Sequence, residues 1–243
     1  IGVLFKNVAN GHQVTYLVAA FVLLAFIISL MNPLFEATDE IRHYRFVRLL
    51  VTEQRLPVQG QEAKRAQGHH PPLFYGISAL LSWWAPGGDA SFEYPGNPYW
   101  GYRNWEVGVD SKLQYERSSD AALILQWDTL SAWVIRWVNI AIGACAVWMT
   151  YRLAKLLLPD RENLALGAAT LLAFNPQFIY LSAAINNDIL ASLASVVVLY
   201  ACVDMLQNQL SPKRSLVLGA LYGMALLSKL HLVVLGGVVG LAV

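Results

Sequence analysis

Charge is scarce in this chain. Asp, Glu, Lys and Arg make up 14% of its 243 residues, against roughly a quarter in a soluble domain. Hydrophobic residues make up 56%, and the mean hydropathy is +0.46. The balance points away from a soluble domain and towards a membrane protein. A net charge of +1 leaves no basic stripe to neutralise phosphates, so a nucleic-acid partner is not expected. Cysteine is rarer still: Cys145 and Cys202 each sit inside an apolar run. Neither a disulfide framework nor a metal-ligand spacing is readable from them, and they are read as small core residues.

What is abundant is long apolar runs. Stretches able to cross a hydrocarbon layer of about 30 Å occur at 14–35, 129–150, 164–185, 189–206 and 215–243. The expected fold is therefore an all-α, polytopic membrane protein of about five spans, with the last run interrupted near residues 228–229. The first run is longer than a signal-peptide core and has no small-residue cleavage site after it, so it reads as a retained helix. Beginning at Ile1 and stopping at Val243 within an apolar run, the chain is read as part of a longer membrane protein.

Orientation follows from the short connections. Arg152, Lys155 and Arg161 lie between the second and third runs, Lys213 and Arg214 precede the fifth, and "INND" between the third and fourth carries no basic residue. Since lysine and arginine favour the cytoplasmic side, residues 1–13 are expected in the cytoplasm and 36–128 in one large extracytoplasmic loop. Asn186, Asn187 and Asp188 share that outer face. The expected location is the cell's inner (plasma) membrane.

The loop opens with "FEATDEIRHYRF". Ile41, Tyr44, Val47 and Val51 recur at helical spacing, and Arg42, Arg45 and Arg48 form an adjacent row, so an interfacial amphipathic helix is expected near 39–55. Thr38 is its expected N-cap, and Asp39 and Glu40 in the first turn suit the helix dipole. A second interfacial helix is expected near 71–84, after "HHPP", whose prolines suit a first turn. By itself "HHPP" is equally a rigid turn with two solvated histidines. Trp100 and Trp105 occur in a Gly-, Pro- and aromatic-rich stretch; an interfacial role is the leading reading of both, and sugar stacking the lesser.

Two cations fall inside spans. Arg136 lies roughly 10 Å below the outer surface at 1.5 Å per residue, within snorkelling reach. Lys229 lies about 21 Å along the fifth run from its cytoplasmic start, also in the outer half. Ionisable groups at such depth are candidates for function. The topology gathers Asp39, Glu40, Arg42, His43, His69, His70, Arg136, Asn187, Asp188, Lys229 and the neighbouring His231 at one side. Carboxylates for a general base, mixed with cations for an anion, suit an anionic lipid-linked substrate.

"TDEIRHYRF", then "HHPPLFYGISALL", "FNPQFIYLSAAINNDIL" and "GALYGMALLSKLHLVV" resemble the integral-membrane GT-C glycosyltransferases. The likeness is to the protein O-mannosyltransferase and aminoarabinose-transferase group and related polyprenyl-phosphate-sugar enzymes, and covers most of residues 15–235. It implies transfer of a sugar from a polyprenyl phosphate to a lipid, glycan or protein acceptor at the outer face. Carried over, Asp39 is the acceptor-binding base of the Asp-Glu motif and Glu40 its second acid. Arg42 matches an arginine near the donor phosphate, and His70 stands where the family has Lys-Pro-Pro-Leu or His-Pro-Pro-Leu.

The resulting expectation is inverting transfer with Asp39 as base and Arg42, His70, Arg136 and Lys229 as candidate anion partners. No cofactor is expected, although an acid together with Asp188 offers a divalent-metal variant. The rival reading is a non-catalytic membrane subunit or transporter component whose outer loop docks a partner.

Overall fold

The computed structural model describes residues 2–91, 129–208 and 211–243; Trp100, Trp105 and the rest of 92–128 lie outside the described residues. The described residues form helices joined by loops and turns, with no strand among them. Helix α1 spans Gly2–Met31, α2 Glu40–Arg48, α3 Ala63–Ala66 and α4 Leu73–Ser82. They are followed by α5 (Leu130–Leu157), α6 (Glu162–Ala173), α7 (Pro176–Ser182), α8 (Asp188–Gln207), α9 (Pro212–Ser228) and α10 (Leu235–Ala242).

Among the described residues, three helices are long and apolar enough to cross a membrane: His12–Met31 of α1, α5 and α8. The α6–α7 pair makes a fourth if counted as one span bent by 61°. Four of the five expected runs are accounted for in this way, and the fifth is carried by α9 and the shorter segment Leu230–Ala242. Backbone chemistry explains the third run: Pro176 cannot donate to a continuing helix, and Asn175 caps a new one by accepting the Phe178 amide at 3.1 Å. The fifth run is broken where expected. α9 ends at Ser228, Lys229 is extended (φ −159°, ψ 129°), and a 3₁₀ turn over Leu230–Val234 leads into α10.

Helix α5 is the hub, packing on α1, α4, α6, α7 and α8. Its lower half shares a core with α1, α6 and α7, in which Phe21, Ala146, Val147, Ala169 and Phe178 meet. Its upper half joins the loop helices to the spans through Tyr44, Phe46, Phe74, Tyr75, Ile135 and Ile185. Small residues let the helices approach closely, as expected where packing rather than hydrophobic exclusion holds spans together. Outward-facing Leu23, Leu171 and Leu216 are largely exposed, consistent with a lipid-facing surface.

The first loop helix begins later than expected. Asp39, not Thr38, is the residue preceding α2, and its side chain makes no capping bond. The helix continues through a wider turn over Leu49–Glu53. Arg48, at the end of the arginine row, is buried, with its Nη2 donating to the Gly87 carbonyl at 3.1 Å. Gly87 fits closely there: a Cβ would collide with the Ser131 hydroxyl and lie 2.6 Å from the Tyr44 hydroxyl, so a larger residue would force these side chains to shift. These contacts fasten the loop to the top of α5.

Candidate active site

Two neighbouring acids leave the same turn in opposite directions. Asp39 has φ 60° and ψ 4°, a left-handed conformation that Asp tolerates better than most residues. Glu40, the first residue of α2, is fully buried and points into the protein. Its carboxylate receives Arg136 Nε at 2.7 Å on Oε1 and Arg136 Nη2 at 2.7 Å on Oε2. The Ile185 amide adds 2.9 Å on Oε1 and the Phe35 amide 2.8 Å on Oε2. The remaining guanidinium donors reach the carbonyls of Ser29, Asn32 and Pro33 at 2.8–2.9 Å. All five donors of Arg136 and four acceptor directions of Glu40 are therefore used.

This ion pair binds the end of α1, the start of α2, α5 and the turn before α8 into one unit. Neither member lines the cavity described next. Arg136 does not snorkel, because carbonyls freed at the end of α1 and the Glu40 carboxylate satisfy it inside the fold. Its place is behind the site rather than in it.

Asn139, one turn further along α5, donates from Nδ2 to the carbonyls of Leu181 and Ala184 at 3.0 and 2.6 Å. Asn186 Nδ2 also reaches the Leu181 carbonyl, at 2.6 Å, while its Oδ1 accepts the Asp188 amide at 3.0 Å. The turn that precedes α8 is thus fixed by side chains, and Asn187 and Asp188 are presented at its helix entrance.

A cavity of about 430 Å³ opens between these elements. From the first loop come Asp39, Arg42, His43, Gln67, His69 and His70; from the α7–α8 turn, Asn187 and Asp188; from the break after α9, Lys229. Eight of the eleven sequence candidates therefore meet at one cavity, and Glu40, Arg136 and His231 do not line it. Thr38, Gln67 and Leu181 also line it and carried no signal as site residues. Gln67 takes a left-handed conformation (φ 51°) ahead of the histidine pair.

The charges in the cavity are paired. Arg42 Nη1 lies 2.9 Å from Asp39 Oδ1, both side chains being about half exposed, and Lys229 Nζ donates to Asp188 Oδ1. Asp39 Oδ2 has no partner among the described residues. Between the pairs, His43 and His70 stack with ring centres 5.7 Å apart, and His69 lies 4.1 Å from His70. Burial pushes the His43 imidazole down to about 3, helped by neighbouring His70 and opposed by Asp188. Burial also takes His70 down to about 4, with His69 and Lys229 acting in the same direction. Both rings are neutral at pH 7.

The two ends of the spans differ in kind. The cavity sits at the starts of α5 and α8, whereas Arg152, Lys155, Arg161, Lys213 and Arg214 cluster towards their far ends, where Gln207 Nε2 meets the Leu156 carbonyl at 3.1 Å. A 28-residue helix such as α5 is about 42 Å long, more than the roughly 30 Å of a hydrocarbon layer.

Fold and site together define an all-α membrane protein with a polar, ion-paired cavity at one end of its spans. Residues 121–241 match the model of the dolichyl-phosphate-mannose-protein mannosyltransferase family. This match is consistent with a GT-C-type membrane glycosyltransferase. The matched stretch contains Asn187, Asp188 and Lys229; the Asp39 and His70 side of the cavity lies N-terminal to it. Comparison with curated proteins and with solved structures gave no match.

Proposed function

We propose that the cavity transfers a sugar from a polyprenyl-phosphate donor to an acceptor hydroxyl at the outer face of the inner membrane, with inversion. The observation that carries this reading is the Asp39 carboxylate, turned into the cavity by a left-handed backbone. One oxygen is held by Arg42 and the other is free among the described residues. Strained conformations of this sort concentrate at functional sites.

The free oxygen of Asp39 takes the acceptor's proton as the acceptor oxygen attacks the anomeric carbon. The bond to the donor phosphate breaks on the opposite side, and polyprenyl phosphate leaves as an anion. Lys229 and Arg42 are the cations within the cavity, each now on a carboxylate, and either can shift to the departing phosphate. Placing such donors where charge develops is often the largest single contribution to rate. Glu40 and Arg136 hold the walls. The reaction is drawn without a cofactor, and the N-terminus faces the cytoplasm, as the basic far ends of α5 and α8 favour.

The test is the stereochemistry of the product. Purified protein, reconstituted with a polyprenyl-phosphate sugar and a hydroxyl acceptor, gives a glycoside of the opposite anomeric configuration, read by NMR. A retained configuration, or transfer from a nucleotide sugar but not from the lipid donor, contradicts the proposal. A chain that only docks a partner through this loop transfers nothing.

A further inference from the structure

Tyr75, on α4, lies outside the cavity and was singled out by no motif. Its ring is fully buried, stacked on Phe46 with centres 3.7 Å apart. Its hydroxyl sits 2.7 Å from His43 Nδ1 and has no other partner among the described residues. Two arrangements fit that distance. If Nδ1–H donated, the Tyr75 hydroxyl proton would be left buried and unbonded, a loss comparable to a whole hydrogen bond. If Tyr75 donates, its buried proton is bonded, and His43 carries its own on Nε2, away from the pair.

Burial also keeps the Tyr75 hydroxyl well above its ordinary value, with Asp188 and Asp39 adding to the effect, so it remains a donor throughout the working range. His43 Nε2 makes no hydrogen bond among the described residues and is not one of the sealed polar atoms. Since His43 lines the cavity while Nδ1 is turned to Tyr75, Nε2 is the nitrogen that faces the open space.

We propose that Tyr75 is a positioning residue that locks His43 in its Nε2–H form, giving the cavity an uncharged donor aimed at an oxygen of the bound sugar phosphate. This rests on the glycosyltransferase reading of the same cavity. The groups facing His43 are Asp39, Arg42, His69, His70, Asp188 and Lys229. With both cations already paired to carboxylates, a neutral donor binds an oxygen without disturbing either pair. A cationic imidazole would instead compete with Arg42 and Lys229 for Asp39 and Asp188. The same logic lets a neutral imidazole act as an electrophile in other enzymes.

The experiment uses protein labelled with ¹⁵N-imidazole histidine in lipid nanodiscs, with the His43 signals assigned by their loss in His43→Gln. At pH 7 the wild type shows a neutral ring protonated at Nε2, with Nδ1 unprotonated and hydrogen-bonded. In Tyr75→Phe, which retains the ring stacking, the Nδ1 signal moves to that of a free imidazole nitrogen. Transfer from a polyprenyl-phosphate sugar falls on the order of tenfold in kcat/KM, the effect of one net hydrogen bond. His43→Gln, whose amide can place a neutral donor near Nε2, keeps more transfer than His43→Ala.

A His43 ring protonated at Nδ1, or a Nδ1 signal unmoved by Tyr75→Phe, overturns the lock. The expected ring spectra with undiminished transfer in Tyr75→Phe overturn its role in the reaction. If wild type transfers from no polyprenyl-phosphate sugar while the ring spectra follow expectation, the glycosyltransferase reading falls and the tautomer assignment stands.

Discussion

Asp39 and Glu40 are adjacent carboxylates with opposite fates. Glu40 is sealed, with four donors on its two oxygens and a guanidinium whose every proton is spent. Asp39 is about 40% exposed, holds one arginine and keeps an oxygen open to the cavity. The two side chains part at the left-handed residue 39, immediately before α2 begins. A buried pair as fully satisfied as Glu40–Arg136 is suited to fixing one arrangement, whereas a half-exposed pair can exchange partners. The neighbouring acids thus divide the work into holding the site and supplying its chemistry.

The division can be broken from the structural side first. Arg136→Ala leaves Glu40 buried without its counter-charge, and loss of one partner of such a pair costs about 3–5 kcal/mol. The unfolding transition in detergent should move accordingly, and the double variant Glu40→Gln/Arg136→Met should recover part of the loss. An Arg136→Ala protein as stable as wild type would remove the pair's structural role. On the cavity side, Lys229→Met should slow transfer by roughly 10²-fold if Lys229 meets the departing phosphate, with little change in unfolding. Equal loss of stability and activity would instead place Lys229 with Arg136.

Smaller effects sharpen the same contrast. Gly87→Ala forces the loop away from Ser131 and Tyr44 and should destabilise by about 1–3 kcal/mol, with kcat per folded molecule unchanged. An unperturbed unfolding curve would show that the 87–88 segment does not clamp the loop. The histidines predict a pH dependence with a definite sign. His43 and His70 titrate from an ordinary 6.5 in the unfolded chain but at about 3 and about 4 in the fold. Between those values the unfolded chain binds more protons, so stability is complete above about 6.5 and declines as pH falls towards 4. His43→Gln should flatten that decline, and an unfolding midpoint independent of pH from 7 to 4.5 would contradict the buried neutral rings.

Much of this was legible in the sequence, because membranes impose strong rules. Run length and loop charge are enough to recover α1, α5, α8 and the break at Lys229, and sidedness gathers Asp39, the histidines, Asp188 and Lys229. The misreadings share one cause. Whether a polar side chain faces a cavity or the interior depends on backbone torsions and on distant carbonyls, which a linear pattern does not encode. Glu40 and Arg136 looked like site residues because charge near a membrane usually signals function; their partners are carbonyls at the end of α1 and amides of Phe35 and Ile185. Thr38 has the right chemistry for a cap, but the chain turns one residue later. Tyr75 reads as one aromatic among many until its hydroxyl is seen beside His43.

The central claim is tested most directly by measuring transfer and thermal unfolding together in Asp39→Asn, using a polyprenyl-phosphate sugar and purified protein in nanodiscs. The account predicts transfer reduced by at least about 10²-fold, the lower range for a lost general base, with an unfolding midpoint indistinguishable from wild type. Transfer at the wild-type rate would contradict it.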